Sequence, residues 1–239
     1  MDDLIVLFML LCFFALMFIL KVAPAVFIIL LGYKIVMRMY VNSVSDKDFN
    51  IKTVGLRKWE GENSKRFHRT ESTPYRALES LYAYHDLNEG DKVVDFGAGR
   101  GRVAFFLHQY YEVDVTGIEL NEMTFEETEE NLRKYHERFG HFEYKIDFQC
   151  INAEDYVFDK KDNVYFFFNP FNEEIFKNVI ERIIENADKD MKDVKVILYY
   201  PTRKYRKVMK GTNFKIIEKF AAKGRITPTE KFIIYEREH

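Results

Sequence analysis

Val93-Val94-Asp95-Phe96-Gly97-Ala98-Gly99-Arg100-Gly101 is the stretch on which the reading of this chain turns. Apolar residues lead into an acid, three glycines alternate with other residues, and Val103-Ala104-Phe105-Phe106-Leu107 continues as an opening helix. The order predicts a strand, a tight turn and a helix N-terminus. Glycines let the turn enter φ > 0 and let a ligand approach bare backbone. The first helical turn adds unpaired N–H groups and the positive end of a dipole. A ligand with a charged or polar end suits such a place, although a plain strand–helix connection can be spelled the same way.

Spacing narrows the choice. A dinucleotide fold carries G-x-G-x-x-G with its acid well downstream, which counts against a nicotinamide-dependent reductase. Here the glycines run G-x-G-x-G, and Asp95 lies two residues before the first. The segment resembles motif I of the class I S-adenosylmethionine (SAM) methyltransferases. The resemblance implies that Asp95, Gly97, Ala98, Gly99 and Gly101 bind the cofactor SAM.

Three later segments extend it. Val115-Thr116-Gly117-Ile118-Glu119-Leu120 reads as a second strand ending in an acid, and a strand-end acid can accept hydrogen bonds from a ribose diol. In the family this place holds the ribose acid, which makes Glu119 the candidate; a solvated strand end reads the same way. Phe148-Gln149-Cys150-Ile151-Asn152-Ala153-Glu154-Asp155-Tyr156 resembles the third motif, with Asn152 where Asp is commoner and Ala153 beside the adenine. An Asx turn is the alternative for Asn152. Tyr165-Phe166-Phe167-Phe168-Asn169-Pro170-Phe171 is similar to a shortened Asp/Asn-Pro-Pro-Tyr/Phe motif of amino-group methyltransferases, without the second proline. The resemblance assigns Asn169 and Pro170 to holding an acceptor NH₂ and Phe171 to walling it. Methyl transfer needs mainly alignment and desolvation, which such groups supply. Pro170 is equally well placed to end a buried strand.

The N-terminus is of another kind. Leu4 to Leu20 (LIVLFMLLCFFALMFIL) is unbroken apolar sequence whose thirteen Leu, Ile, Val and Phe residues contribute roughly −4 to −8 kcal/mol to membrane insertion. A helix over it is about 25 Å long, and Val22 to Leu31 supply the remaining thickness. An acidic start, Met1-Asp2-Asp3, and the length of the run disfavour a cleaved signal peptide. Lys21 and Pro24 leave two forms open, one kinked span or a hairpin. Lys34, Arg38 and Lys47 after the run favour one span with the following domain on the cytoplasmic side of a cell membrane, and SAM is a cytosolic metabolite.

Residues 40–65, polar and mixed in charge, read as a linker between an anchor over 1–39 and a methyltransferase domain over 66–239. A helix is expected from about Glu71, capped by Ser72 or Thr73 with Pro74 in its first turn. The resemblance implies that this region covers the cofactor pocket and lets Arg66, His68, Arg69, Thr73 or Tyr75 reach the methionine carboxylate. Helical stretches follow at 102–110, 122–139 and 173–186, alternating with strands, and a fifth strand at 194–200. Phe214-Lys215-Ile216-Ile217 and Phe232-Ile233-Ile234-Tyr235 close the chain as an antiparallel pair. The expected fold is α/β: a seven-stranded, mostly parallel sheet with helices on both faces, a C-terminal antiparallel hairpin and a transmembrane helix before it.

Composition adds limits. A formal net charge of −2 gives no global field toward nucleic acid. Cys12 and Cys150 stand far apart in unlike contexts, and His136 and His141 lie at the wrong offset for one helix face, so no metal site is expected. Arg203-Lys204-Tyr205-Arg206-Lys207-Val208-Met209-Lys210 is densely basic and suits acidic lipid, a substrate phosphate or plain solvent. The expected protein is a membrane-anchored, SAM-dependent methyltransferase acting on an amino group, a protein side chain being favoured. A small-molecule or lipid acceptor, or a scaffold that kept the fold without the chemistry, are the alternatives.

Overall fold

The computed structural model describes residues 2–140 and 143–238, with the side chains of all of these except 2–4 and 21. His141 and the Lys21 side chain therefore lie outside the described residues. The chain divides into two compact units, Met1–Tyr40 and Val41–His239.

Helix α1, Asp2–Asp48, is a single helix that carries Pro24 inside it. Proline removes one i→i−4 hydrogen bond and crowds the preceding turn, but the flanking leucines, isoleucines and phenylalanines keep the helix going. By length and composition, Ile5–Asp48 is apolar and long enough to cross a membrane, and none of its most apolar stretch is buried.

From Val41 onward the chain belongs to the second unit, which includes most of the segment expected as a linker over 40–65. Asp46, Phe49, Ile51 and Thr53 are all buried there. Asp46 accepts hydrogen bonds from Thr53 N (2.6 Å), Thr53 Oγ1 (2.6 Å) and Tyr75 OH (2.9 Å) and lies 3.3 Å from Arg102 Nη2. The Arg102 guanidinium stacks over the Tyr75 ring at 4.6 Å and donates through Nε to Thr53 Oγ1 at 2.7 Å. A mixed-charge segment thus hides one fully paired acid, which a charge pattern does not reveal.

The strands are β1 (Lys92–Phe96), β2 (Asp114–Glu119), β3 (Ile146–Cys150), β4 (Asp162–Phe167), β5 (Val194–Tyr199), β6 (Lys215–Ala221) and β7 (Lys231–Arg237). They form one seven-stranded sheet in the order β3-β2-β1-β4-β5-β7-β6. The first five pair in parallel, and β7 runs antiparallel to both β5 and β6. The remaining helices are α2 (Asn63–Arg66), α3 (Tyr75–Tyr84), α4 (Arg102–Tyr111), α5 (Glu122–Phe139), α6 (Glu173–Asp190) and α7 (Arg203–Lys210).

Side chains alternate across the sheet and so divide the core in two. Val93, Val164 and Phe166 join Leu78, Leu81, Phe105, Leu107 and Tyr135, which puts α3, α4 and α5 on one face. Val94, Phe96, Tyr165 and Phe167 join Ile175, Phe176, Val179, Ile180, Tyr205 and Met209, which puts α6 and α7 on the other. Helices cover both faces, as the α/β pattern requires.

Two local expectations change. Pro74 occupies the N-cap position of α3 and no side chain from Ser72 or Thr73 caps it. Instead the Tyr75 N–H donates to Asn42 Oδ1 (3.2 Å), while Ser72 Oγ donates to the Thr53 carbonyl (2.8 Å). The basic cluster is helix α7: Tyr205 and Met209 are buried, Tyr205 stacks on Phe176 at 3.7 Å, and Arg203, Lys204, Arg206, Lys207 and Lys210 stay exposed.

Replacing one member of a buried charge pair strands the other. Asp46→Ala is expected to cost about 3–5 kcal/mol in urea unfolding followed by near-ultraviolet circular dichroism; a cost below about 1 kcal/mol would show that Arg102 is stabilised without Asp46.

Candidate functional site

Strand order reverses on either side of β1, which is flanked by β2 and β4. Crevices at the carboxyl ends of strands, at such a reversal, are where α/β sheets take ligands. A cleft lies there, lined by Gly97 after β1, Ile118, Glu119 and Leu120 at the end of β2, Ile151 and Ala153 after β3, and Phe168, Pro170 and Phe171 after β4. Its remaining wall is a strap that contributes Trp59 and Phe67-His68-Arg69-Thr70-Glu71.

The glycine turn is shaped by close approach as much as by openness. Gly97 has φ +78°, and a Cβ there would lie 2.3 Å from the Pro170 Cβ. The turns after β1 and β4 touch, so the bare backbone admits Pro170. Gly99, at φ +57°, would place a Cβ 3.0 Å from Thr70 Cγ2 on the strap, and its N–H donates to Glu119 Oε2 at 3.0 Å. Gly101, in the left-handed region, caps α4, and the Ala98 N–H is bound to the Ile118 carbonyl at 2.9 Å.

Two acids sit at this junction. Glu119 is buried, and its other oxygen accepts from the Asn121 N–H at 2.8 Å. Burial raises its carboxyl above the ordinary range, and the Asn121 and Gly99 N–H bonds oppose that rise. Each oxygen still has a lone pair for a second donor. Asp95 is buried at the end of β1, and its Oδ2 has no hydrogen-bond partner among the described residues. Burial, and then the neighbouring Glu119 carboxylate, push Asp95 up to about 8.

The strap is anchored at both ends. Antiparallel bridges join Arg57 to Thr70 and Phe67 to Phe171. Trp59 packs on Phe67 with ring centroids 5.1 Å apart. Arg57 binds Glu127 on α5 through both Nη atoms, and Arg100 Nε reaches the same carboxylate at 2.6 Å. Thus closed, the cleft holds only about 50 Å³, room for a few waters.

Beside it, Asn169 takes φ +45°, a left-handed conformation that asparagine tolerates better than most residues. Its Oδ1 is buried without a hydrogen-bond partner among the described residues. Asn169 and Phe171 line a second cleft, with Lys65, His68, Asn172, Glu173 and Lys204. Pro170 and Phe171 thus stand between two openings.

Of the residues singled out from sequence, Gly97, Glu119, Ala153, Pro170 and Phe171 line the first cleft, and Asn169 lines the second. Asp95, Ala98, Gly99 and Gly101 form the turn beneath. Asn152 is engaged elsewhere, since its Oδ1 accepts from the Glu154 N–H at 3.2 Å and caps the short turn Ala153–Asp155. Tyr75 is not in the cleft; it is locked into the Asp46 network. His68 and Arg69 line the cleft, whereas Arg66 pairs with Glu154 at 3.0 Å and Thr73 is buried away from it. Sequence reading passed over Trp59, Phe67, Leu120 and Ile151. The last two follow the motif strands directly, and that position was the available signal. Among the described residues no cluster of three or more His, Cys, Asp or Glu could hold a metal ion.

The cleft thus offers one buried acid, Glu119, and apolar Leu120, Ile151 and Ala153, with Asp95 buried behind it. No protein-family model and no curated protein matches the chain. Solved structures do. A candidate rRNA-methylase from Clostridium thermocellum aligns over 68% of this chain and 96% of its own, at 15% identity and a TM-score of 0.50. The PH0226 protein of Pyrococcus horikoshii aligns over 69% and 91%, at 16% identity and a TM-score of 0.50. The chain spans 65% of an uncharacterized Listeria monocytogenes protein, at 12% identity and a TM-score of 0.46.

Asp95 gives a pH test. Its folded value lies above its unfolded one, so the stability it contributes is complete below about pH 4 and is lost as pH rises through about 8. Asp95→Asn, fixed in the neutral form, is expected to flatten the fall in melting temperature between pH 5 and 8. An unchanged slope would mean that Asp95 is ionised in the fold already. With its strand order, its glycine turn at the reversal of that order and these structural matches, the chain has a Rossmann-like α/β fold shared with the Clostridium thermocellum and Pyrococcus horikoshii structures.

Proposed function

We propose that the protein is a membrane-anchored methyltransferase that uses SAM to methylate an amino group, a protein side chain such as lysine or glutamine being the favoured acceptor. The observation that supports this reading is that Gly97, Glu119, Pro170 and Phe171, from the ends of β1, β2 and β4, line one cleft while Asn169 lines the cleft beside it. Bound there, SAM supplies an electrophilic methyl on a sulfonium. Glu119 accepts from the ribose hydroxyls, and Leu120, Ile151 and Ala153 enclose the adenine. Asp95 and Glu119 supply negative charge for the cation. Asn169 Oδ1 orients the acceptor, and Phe171 excludes water from it.

The apolar stretch of α1 supports anchoring in a cell membrane, and the basic Lys34, Arg38 and Lys47 after it support a cytoplasmic catalytic unit.

Trp59 is the chain's one tryptophan, so intrinsic fluorescence reads the cleft directly. Titrating the full chain in lipid nanodiscs with SAM is expected to give a saturable fluorescence change. Glu119→Ala should weaken binding by about 10-fold or more, the cost of losing charge-assisted hydrogen bonds. No change and no calorimetric heat at millimolar SAM would refute the assignment. Asn169→Ala should abolish transfer of labelled methyl to membrane fractions while SAM affinity stays within about twofold; equal labelling by both proteins would argue for a scaffold.

A further inference from the structure

We infer that His68 completes the acceptor half of the site: its Nε2 receives one N–H of the acceptor amine and takes up the proton that methylation releases. This rests on the methyl-transfer reading above.

Three observations lead to it. First, His68 lines both clefts, the one assigned to the cofactor and the one beyond Asn169. Second, it binds the Asn-Pro-Phe turn twice. Its backbone N–H donates to the Pro170 carbonyl at 2.8 Å, and its ring Nδ1 lies 2.8 Å from the Asn169 carbonyl oxygen. A carbonyl can only accept, so Nδ1 carries a proton and the neutral ring keeps its lone pair on Nε2. Third, the two main-chain carbonyls beside Asn169 already hold His68, while Asn169 Oδ1 has no partner among the described residues.

On this proposal an incoming NH₂ group has two unlike acceptors, Asn169 Oδ1, which it must first uncover, and His68 Nε2. With one hydrogen on each, the nitrogen lone pair is left for the methyl carbon. As the nitrogen–carbon bond forms, the carbon–sulfur bond breaks and its electron pair stays on sulfur. The nitrogen becomes cationic, and its proton passes to Nε2. Both ring nitrogens then donate, and the bond from Nδ1 to the Asn169 carbonyl becomes charge-assisted. An acceptor that arrives as an ammonium first gives one proton to Nε2, and the exposed ring passes it to solvent before methyl transfer, so that the Nε2 lone pair is free again.

The charged groups around the ring balance it. On the strap, Arg69 pairs with Glu71 at 2.8 Å, and Lys65 lies nearby. Glu173 at the start of α6 pairs with Lys204 of α7 at 2.8 Å, with Glu174 beside it, and Glu119 stands across the first cleft. The Lys204 ammonium chiefly holds Glu173 below the ordinary carboxylate range, with His68 adding to the effect. An imidazolium at His68 thus forms beside a carboxylate that is ionised at neutral pH.

The test uses the full chain in nanodiscs, wild type and His68→Gln, the glutamine keeping a donor for the Asn169 carbonyl but no base. Nitrogen-15 spectra of histidine-labelled protein with S-adenosylhomocysteine should show, for the resonances that His68→Gln removes, a protonated Nδ1 and a bare Nε2 that protonates on acidification. Single-turnover labelling of membrane fractions with radioactive SAM should rise with pH along one acid limb. In His68→Gln the rate is expected to fall about 100-fold and the limb to vanish, with SAM affinity by calorimetry within about twofold. An Nε2–H tautomer, or a His68→Gln protein with the wild-type rate and pH profile, would overturn the role of His68 alone. Failure of the wild type to bind SAM would instead overturn the function on which it rests.

Discussion

The constraint on which the rest of the structure depends is the burial of two carboxylates at the ends of neighbouring parallel strands. Folding takes Asp95 and Glu119 out of water side by side. Glu119 is partly compensated by two backbone N–H groups, one of them from the glycine turn itself. Asp95 is left with an unpartnered oxygen and stays protonated up to about pH 8. A fold that keeps an uncompensated acid gives up stability for it, and such sites cluster where ligands bind. A cation beside the pair would relieve that cost.

A second constraint is how tightly the strand ends are drawn together. Gly97 lets the β1 turn touch Pro170 after β4, and Gly99 lets the strap come down on the turn. The strap in turn uses His68 to hold the Asn169 and Pro170 carbonyls. One set of close contacts thus links the acid pair, the cleft wall and the acceptor turn. The Arg57–Glu127–Arg100 cluster at the base of the strap ties that arrangement to the glycine turn and α5.

Much of this was legible in sequence where a local pattern had one physical meaning. The strand–glycine–helix run, the acid ending β2 and the alternation of elements indicated the mostly parallel sheet and its terminal hairpin, while the strand order and its reversal at β1 come from the structure. Helix α5 ran as its pattern indicated, from Glu122 to Phe139. What escaped depended on partners far away in the chain. Tyr75 opens an amphipathic helix, yet its hydroxyl belongs to Asp46, 29 residues earlier. The supposed linker hides Phe49 and Ile51 among polar residues. The strap is held by isolated bridges and side-chain pairs, which leave no periodicity to read. His68 was visible only as one of several candidates for a carboxylate; its two bonds to the Asn-Pro-Phe turn appear only in three dimensions.

On the function proposed above, the acid pair would take a cationic cofactor. Calorimetric titration of the full chain with SAM at pH 7, in two buffers of different ionisation enthalpy, tests it most directly. The account expects saturable binding that releases close to one proton, because the bound cation ionises an Asp95 that is mostly protonated beforehand. Absence of binding at millimolar SAM, or binding with no proton exchanged, would contradict it.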